Sequence, residues 1–528
     1  MKEQISELLK KAINVLQKEG KLPNFEIPKI FVEYPEKEIH GDFSSNLAME
    51  IGRIIKKNPL EVAKLVTRTL SSLDSQSLFD KVEIVKPGFI NFFLSKTLIQ
   101  EQIKKILKQG QEFGSANIDK KMKIQVEFIS ANPTGPLTLG NGRGGFCGDV
   151  LANVLKKAGY GVEKEYYIND IGEQVKKLGH SIIGDDQAVY KGDYIKELRK
   201  KIKGKDVKKV GEEAGSLILK EYIKKTVKKM GIDFDVWFSE KSLHHNKEIE
   251  NVLKWLQDND LIYEKDKAIW FKSEKFGDEK DRVLIKADGE KTYFLSDIAY
   301  LKNKFGRGFN EIICIWGADH HGYIGRMKSA VEALGYKKEQ FKVVIMQLVR
   351  LIERGKSVKM SKRKGIYVTL DELIDEVGLD SSRFFFLQRR AGSHLNFDMS
   401  LAKDKSEKNP VYYIQYAYAR ICSILKKSQS VSWSANFKLL NDPLELRLSK
   451  QLIKFSEVIK DTAEDYQIQR LPKYALETAA CFHQFYKNCR VLTGDKELSS
   501  ARLSLILATK IVLKNTLDIM GISTPEKM

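Results

Sequence analysis

The sequence predicts a doubly wound parallel α/β domain carrying an insertion, preceded by a small α+β domain and followed by an all-α bundle. Two βαβ patterns predict the centre. In the first, a strand over 124–129 leads through a Pro- and Gly-rich loop to a helical stripe of Val150, Leu151, Val154, Leu155 and Ala158. Gly159 closes that helix in a position suited to a left-handed cap, and a strand over 162–168 follows. In the second, Ile312-Ile313-Cys314-Ile315-Trp316 is an unbroken apolar run, as in a strand buried on both faces. A helix through Met327, Val331 and Leu334 and a strand over 343–346 complete it. The gap between the two units, about 175–290, is predicted as an insertion within one sheet-based domain spanning 121–400.

The flanks read differently. Ile5, Leu8, Leu9, Ala12, Ile13 and Leu16 recur at helical spacing. Lys81-Val82-Glu83-Ile84-Val85 alternates, Pro87-Gly88 marks a turn, and Phe89 to Leu94 reads as a second strand. These predict an α+β domain over 1–100, joined by a connecting segment over 101–120. From 405 to 528 the pattern is helical: Leu448, Leu452, Phe455 and Ile459 step by fours and threes.

Composition narrows the function. The 528 residues carry a net charge of +20 with 42% hydrophobic and 30% charged residues. Such a balance suits a soluble protein that meets nucleic acid, because lysines displace the counterions of phosphates. No apolar run is long enough to span a bilayer, and Met1-Lys2-Glu3-Gln4-Ile5-Ser6 lacks the apolar block of a signal peptide. A cytoplasmic protein with no membrane partner is expected. Five scattered cysteines, with no Cys-x-x-Cys pair, argue for reduced thiols, and His244-His245 and His320-His321 lack companions for a metal site.

Two segments read as phosphate handlers. Gly140-Asn141-Gly142-Arg143-Gly144-Gly145 matches the spacing G-x-G-x-x-G, but ten residues separate it from the preceding strand, so a dinucleotide site is a poor fit. A glycine-rich turn opening a helix still presents N–H groups to an anion. Between Gly355 and Gly365 lie five cations, including Lys359 and Lys362. Gly355-Lys356-Ser357 lacks the upstream glycine of a Walker A loop, since position 350 is Arg. Taken alone, so many like charges are a solvated surface or a grip on polyanions.

The motifs together resemble the class I aminoacyl-tRNA synthetases, and most closely the arginyl-tRNA synthetase family. Val126-Glu127-Phe128 and Ala131-Asn132-Pro133-Thr134-Gly135-Pro136-Leu137 resemble its first signature. Tyr293 to Tyr300, Trp316-Gly317-Ala318-Asp319-His320-His321-Gly322 and Val358 to Lys362 resemble later ones in order. His40-Gly41-Asp42-Phe43 resembles the N-terminal tRNA-binding domain, and Asn409-Pro410-Val411-Tyr412-Tyr413 the entry to the anticodon-binding domain. The match runs nearly end to end, so a complete chain is expected. The resemblance implies a Rossmann-like catalytic domain that joins L-arginine to tRNA(Arg) through an arginyl-adenylate, using ATP and Mg2+, with no resident metal and as a monomer. It also implies a requirement for tRNA even at the activation step. It places Gly140, Gly142, Gly317, Asp319, His320 and Met360 at ATP, and Glu127, Asn132, Tyr293, Asp297 and His321 around the arginine.

One departure stands out. The family signature ends His-x-Gly-His, whereas this chain has Thr138-Leu139-Gly140-Asn141. Neither Thr138 nor Asn141 can carry positive charge at neutral pH, although both can donate hydrogen bonds. Two readings follow. Thr138 and Asn141 act as neutral donors, with Lys359, Lys362 and magnesium carrying the charge and Ser361 adding a hydrogen bond as pyrophosphate leaves. Alternatively, the chain is a catalytically weakened tRNA-binding paralogue. The match at the rest of the site favours the first.

Overall fold

The computed structural model describes residues 1–74, 78–115, 122–357, 369–428 and 435–528. At its centre is a five-stranded sheet, β1 (Lys123–Glu127), β2 (Gly161–Ile168), β3 (Val236–Ser239), β4 (Glu311–Gly317) and β5 (Phe341–Met346). The spatial order is β5-β4-β1-β2-β3, and every neighbouring pair is parallel. The chain winds outward from β1 in one direction and then, from β4, in the other. The order therefore reverses between β1 and β4, the place where doubly wound sheets open a crevice at their C-terminal ends.

Both faces of the sheet are covered, as its unbroken apolar strands demand. Ile313 and Ile315 face one core and Ile312 and Cys314 the other, as the period of a strand requires. The insertion is not one block. β3, a strand missing from the sequence reading, divides it into helices over 173–229 and a later antiparallel sheet of Ile262–Lys265, Ala268–Phe271 and Arg282–Ile285. Four residues at a sheet edge are too few for a period to register.

The helix Leu139–Ala158 carries the phosphate-turn glycines, and contact explains three of them. A Cβ at Gly142 would fall 2.5 Å from Leu370, one at Gly145 2.6 Å from Met230, and one at Gly148 2.3 Å from Phe128. These glycines, three apart, let the helix approach Leu370, Met230 and Phe128 closely. A Cβ at Gly140, exposed at the helix start, would meet only Thr138 Oγ1, at an ordinary 3.8 Å.

The N-terminal domain is a three-stranded antiparallel sheet (Phe43–Ser45, Phe89–Leu94, Phe79–Val85) covered by helices, with its own core. Helix Lys96–Gln109, in the segment joining it to the sheet domain, is buried through Ile103, Ile106 and Leu107 in the large core that the sheet domain shares with the C-terminal helices. The stripe through Leu448 to Ile459 spans two helices, Pro443–Ile453 and Phe455–Asp465, bent at Lys454; all four stripe residues remain fully buried. Helix Lys496–Met520 ends against the sheet domain: the side chain of Asn153 donates to the Ile519 carbonyl at 3.1 Å and Arg383 to the Met520 carbonyl at 2.9 Å. Among the described residues no helix is long and apolar enough to cross a membrane, and all five cysteines are free thiols.

Candidate active site

An open cleft of about 1780 Å³ lies at the C-terminal ends of β1 and β4. Its walls come from the loop after β1 (Ser130, Asn132, Gly135), the start of helix Leu139–Ala158 (Gly140, Asn141), the end of β4 (Trp316, Gly317) and the residues after β5 (Gln347, Leu348). The volume exceeds the few hundred to about 1,000 Å³ of a small-ligand pocket, leaving room for more than one substrate.

The loop after β1 is held from below. The Tyr166 hydroxyl accepts from the Ala131 N–H at 3.1 Å and donates to its carbonyl at 3.0 Å, and Tyr194 donates to the Thr134 carbonyl at 2.9 Å. Ile129 and Ser130 take positive φ, 66° and 39°, the kind of backbone strain that collects at functional sites.

At the phosphate turn, Thr138 and Asn141 lock one another. Asn141 Oδ1 accepts from the Thr138 N–H at 2.9 Å and from Thr138 Oγ1 at 2.8 Å. With its oxygen committed, the Asn141 amide has only its NH2 group left to offer the cleft. The turn is tied down from behind, where the Leu370 N–H donates to the Leu137 carbonyl at 3.0 Å. Lys359, Met360, Ser361 and Lys362 lie outside the described residues.

Gly317 ends β4 on the opposite lip and lines the cleft with Asp319 and His320. Asp319 is 83% exposed, and its carboxylate lies 3.6 Å from His320 Nε2. His321, on the same short turn, is exposed and does not line the cleft.

Next to the cleft lining lies a group of carboxylates whose charges are unevenly matched. Helix Tyr293–Gly306 points Tyr293, Asp297, Tyr300 and Lys304, spaced four, three and four apart, toward the sheet ends. Lys304 donates to Glu127 Oε2, and Ser130 Oγ donates to Glu127 Oε1 at 3.0 Å. Arg307 grips Glu165 with two nitrogens at 2.6 and 3.1 Å. Those two carboxylates thus have their cations within the chain. Asp297 and Glu240 have no ion-pair partner among the described residues. Tyr323 donates to Asp297 Oδ2, and Asn169, with its amide turned to donate, bonds Glu240 Oε2 at 3.0 Å. Burial pushes the Asp297 carboxyl up to about 7, with the Glu127 charge adding to the rise. Burial likewise raises Glu240 to about 7, helped by the charge on Asp297. Neither carboxylate lines the open cleft, whereas Asn132, Asn169 and Tyr293 do.

Of the residues singled out from the sequence, Asn132, Thr138, Gly140, Asn141, Tyr293, Gly317, Asp319 and His320 line the cleft together. Asp297 lies behind them. Glu127 is buried and turned to Lys304, and Gly142 is packed under Leu370. Glu240 was missed. Its only signal is a carboxylate directly after the aromatic strand Val236–Ser239, at the C-terminal end of the sheet. Among the described residues no cluster of three or more His, Cys, Asp or Glu could hold a metal ion.

Family models match the chain in three stretches. Residues 102–390 match "tRNA synthetases class I (R), catalytic domain", residues 1–94 "Arginyl tRNA synthetase N terminal domain", and residues 414–528 "DALR anticodon binding domain". The chain is 44% identical to the arginine–tRNA ligase of Caldanaerobacter subterraneus subsp. tengcongensis, over 100% of this chain and 99% of that one. It is also 44% identical to the arginine–tRNA ligase of Bacillus licheniformis at the same coverage. The solved arginyl-tRNA synthetase of Thermus thermophilus superposes over the whole of both chains with a TM-score of 0.79 at 21% identity, a likeness of fold.

Proposed function

The chain belongs to the class I arginyl-tRNA synthetases and is an arginine–tRNA ligase, and from that premise we propose how its own residues divide the work. The carboxylates of Asp297 and Glu240 receive the arginine guanidinium. The observation that carries this is the missing cation. A buried and a half-buried carboxylate beside tyrosines, with no ion-pair partner among the described residues, are costly alone, and a planar guanidinium is the group that satisfies two carboxylates at once. Tyr293 and Asn132 close the pocket on the cleft side, with His321 at its outer edge. Glu127 acts at one remove: it engages Lys304, so that this lysine does not neutralise the arginine site.

ATP lies across the switch point, with its adenosine against Gly317, Asp319 and His320 and its phosphates over Gly140 and Asn141; Gly142, proposed from the sequence for the same role, instead packs under Leu370. The arginine carboxylate attacks the α-phosphorus, and pyrophosphate leaves with its electron pair toward the turn. Asn141 donates there as a neutral group held in one orientation by Thr138. Lys359, Lys362, Ser361 and Met360 complete the phosphate side, as the sequence implies. Mg2+ arrives on the ATP phosphates, the usual mode for this ion, and supplies charge neutralisation when bound. A tRNA(Arg) hydroxyl then attacks the carbonyl of the arginyl-adenylate, the acyl–phosphate bond breaks, and AMP leaves as the arginyl ester forms. The protein acts as a cytoplasmic monomer in this reading.

Charging of tRNA(Arg) with labelled arginine tests the phosphate assignment. Asn141→Ala is expected to lower kcat about a hundredfold, as loss of a donor aimed at transition-state charge does, while leaving KM for arginine within about twofold. Thr138→Val, which removes only the orienting hydroxyl, is expected to fall between. An Asn141→Ala enzyme with unchanged kcat would refute the assignment.

The acidic pair fixes the direction of pH dependence. In the empty site both carboxyls take up protons as pH falls through about 7. Arginine binds their ionised forms, so its affinity weakens as pH falls below 7, by up to about tenfold per pH unit for each group. Calorimetric titration of arginine across that range reads this directly.

A further inference from the structure

Among the described residues of the sheet domain, four cationic side chains are buried, Lys164, Lys304, Arg383 and Arg143, and Lys164 has Asp149. Lys304 has Glu127 and Arg383 has Asp149. Arg143 has no carboxylate within ion-pair distance among the described residues. Its side chain is 0% exposed. Nη1 donates to the Gln347 carbonyl at 2.7 Å and Nη2 to the Arg390 carbonyl at 2.9 Å, while Nε is buried with no acceptor. Burial draws its pKa below the usual arginine value, yet a guanidinium stays protonated at any pH the enzyme meets.

A buried charge answered only by two carbonyl dipoles is unfavourable in the empty protein. Its position gives a reason for it. Arg143 is two residues beyond Asn141 on the helix that opens at the phosphate turn, and its guanidinium touches the backbone of Gln347, which lines the same cleft. The N-terminal end of that 20-residue helix adds positive potential on the same side. We propose that Arg143 is a fixed counter-charge for the nucleotide phosphates, acting through the cleft wall without contacting them. It is a positioning residue, and it restores part of the positive field that Thr138 and Asn141 cannot supply. This rests on the reading that the phosphates lie over Gly140 and Asn141.

The test compares ATP with adenosine, which lacks the phosphates, by calorimetric titration on the full chain. R143Q keeps hydrogen-bond donors and removes the charge; R143K keeps the charge and loses the fork. R143Q is expected to weaken ATP about tenfold, the scale of a unit charge acting at about 10 Å through an effective dielectric constant of about 20, and adenosine by less than about twofold. R143K is expected to retain most of the ATP preference, and it answers the question alone if R143Q does not fold. Equal weakening of both ligands in R143Q, or loss of the ATP preference in R143K, overturns the proposal. Asn141→Ala separates the two layers. If it leaves the ATP-to-adenosine ratio unchanged, the phosphates are not over this turn and both readings fall. If it lowers the ratio while R143Q does not, only the counter-charge is refuted.

Discussion

Asp297→Ala removes arginine-dependent turnover: kcat/KM for arginine is expected to fall by about three orders of magnitude, with ATP binding little changed. Asp297 has no ion-pair partner among the described residues and accepts a hydrogen bond from Tyr323. Its carboxyl is raised to about 7 because burial and the Glu127 charge both oppose ionisation. A guanidinium would offset both at once, so under the proposed reading the binding energy of the substrate side chain is expected to concentrate on this residue and Glu240. Truncating one partner of a buried charge pair costs about 3–5 kcal/mol, a factor of about 10² to 10⁴. Asp297→Asn and Glu240→Gln are expected to fall in the same range, since an amide keeps the shape and loses the charge. Wild-type kinetics for Asp297→Ala at saturating ATP would sink the assignment.

Arg383→Met is expected to be the most destabilising single change in the sheet domain, by about 3–5 kcal/mol. Arg383 is 1% exposed. It donates to Asp149 Oδ2 at 2.8 Å, to the Met520 carbonyl at 2.9 Å, and to the Met230 and Gly231 carbonyls at 2.8 and 3.0 Å. Its removal leaves Asp149 to Lys164 alone and strands carbonyls from two other parts of the chain, each costing about 1–3 kcal/mol when left unsatisfied. Asp149 lies on the helix that starts at the phosphate turn, and Met520 ends the last helix of the C-terminal bundle. The same substitution is therefore expected to loosen the bundle from the catalytic domain and to raise KM for tRNA. Denaturant melts followed by tryptophan fluorescence, beside the exposed control Lys196→Ala, read the first effect. A melt within about 0.5 kcal/mol of the parent would contradict it.

Periodic features were legible in the sequence because they register over many residues. The apolar run of β4, the stripe of helix Leu139–Ala158 and the bundle stripe through Leu448 to Ile459 appear where their spacing puts them. Features that depend on a distant partner were not. β3 is four residues at a sheet edge, with no period to show. Glu240 gains meaning only when folding brings it beside Asp297, 57 positions later, and Tyr167. Glu127 reads as a substrate carboxylate until Lys304 arrives from a helix far along the chain. The glycines at 140–145 resemble a nucleotide fingerprint in one dimension; in three, Gly142 and Gly145 are needed for close packing and Gly140 lines the cleft. The substitution of Thr138 and Asn141 for two imidazoles was visible at once. The Thr138–Asn141 hydrogen bonds and the burial of Arg143, on which the proposed compensation rests, depend on the fold and are not legible in the sequence.

The most direct measurement is the binding of arginine against citrulline, its uncharged isostere, at pH 8 and at pH 6. Recognition by Asp297 and Glu240 requires a large preference for arginine at pH 8 that shrinks by about tenfold or more at pH 6, as the two carboxyls take up protons, with citrulline nearly unchanged. A preference of the same size at both pH values would show that these carboxylates do not hold the guanidinium.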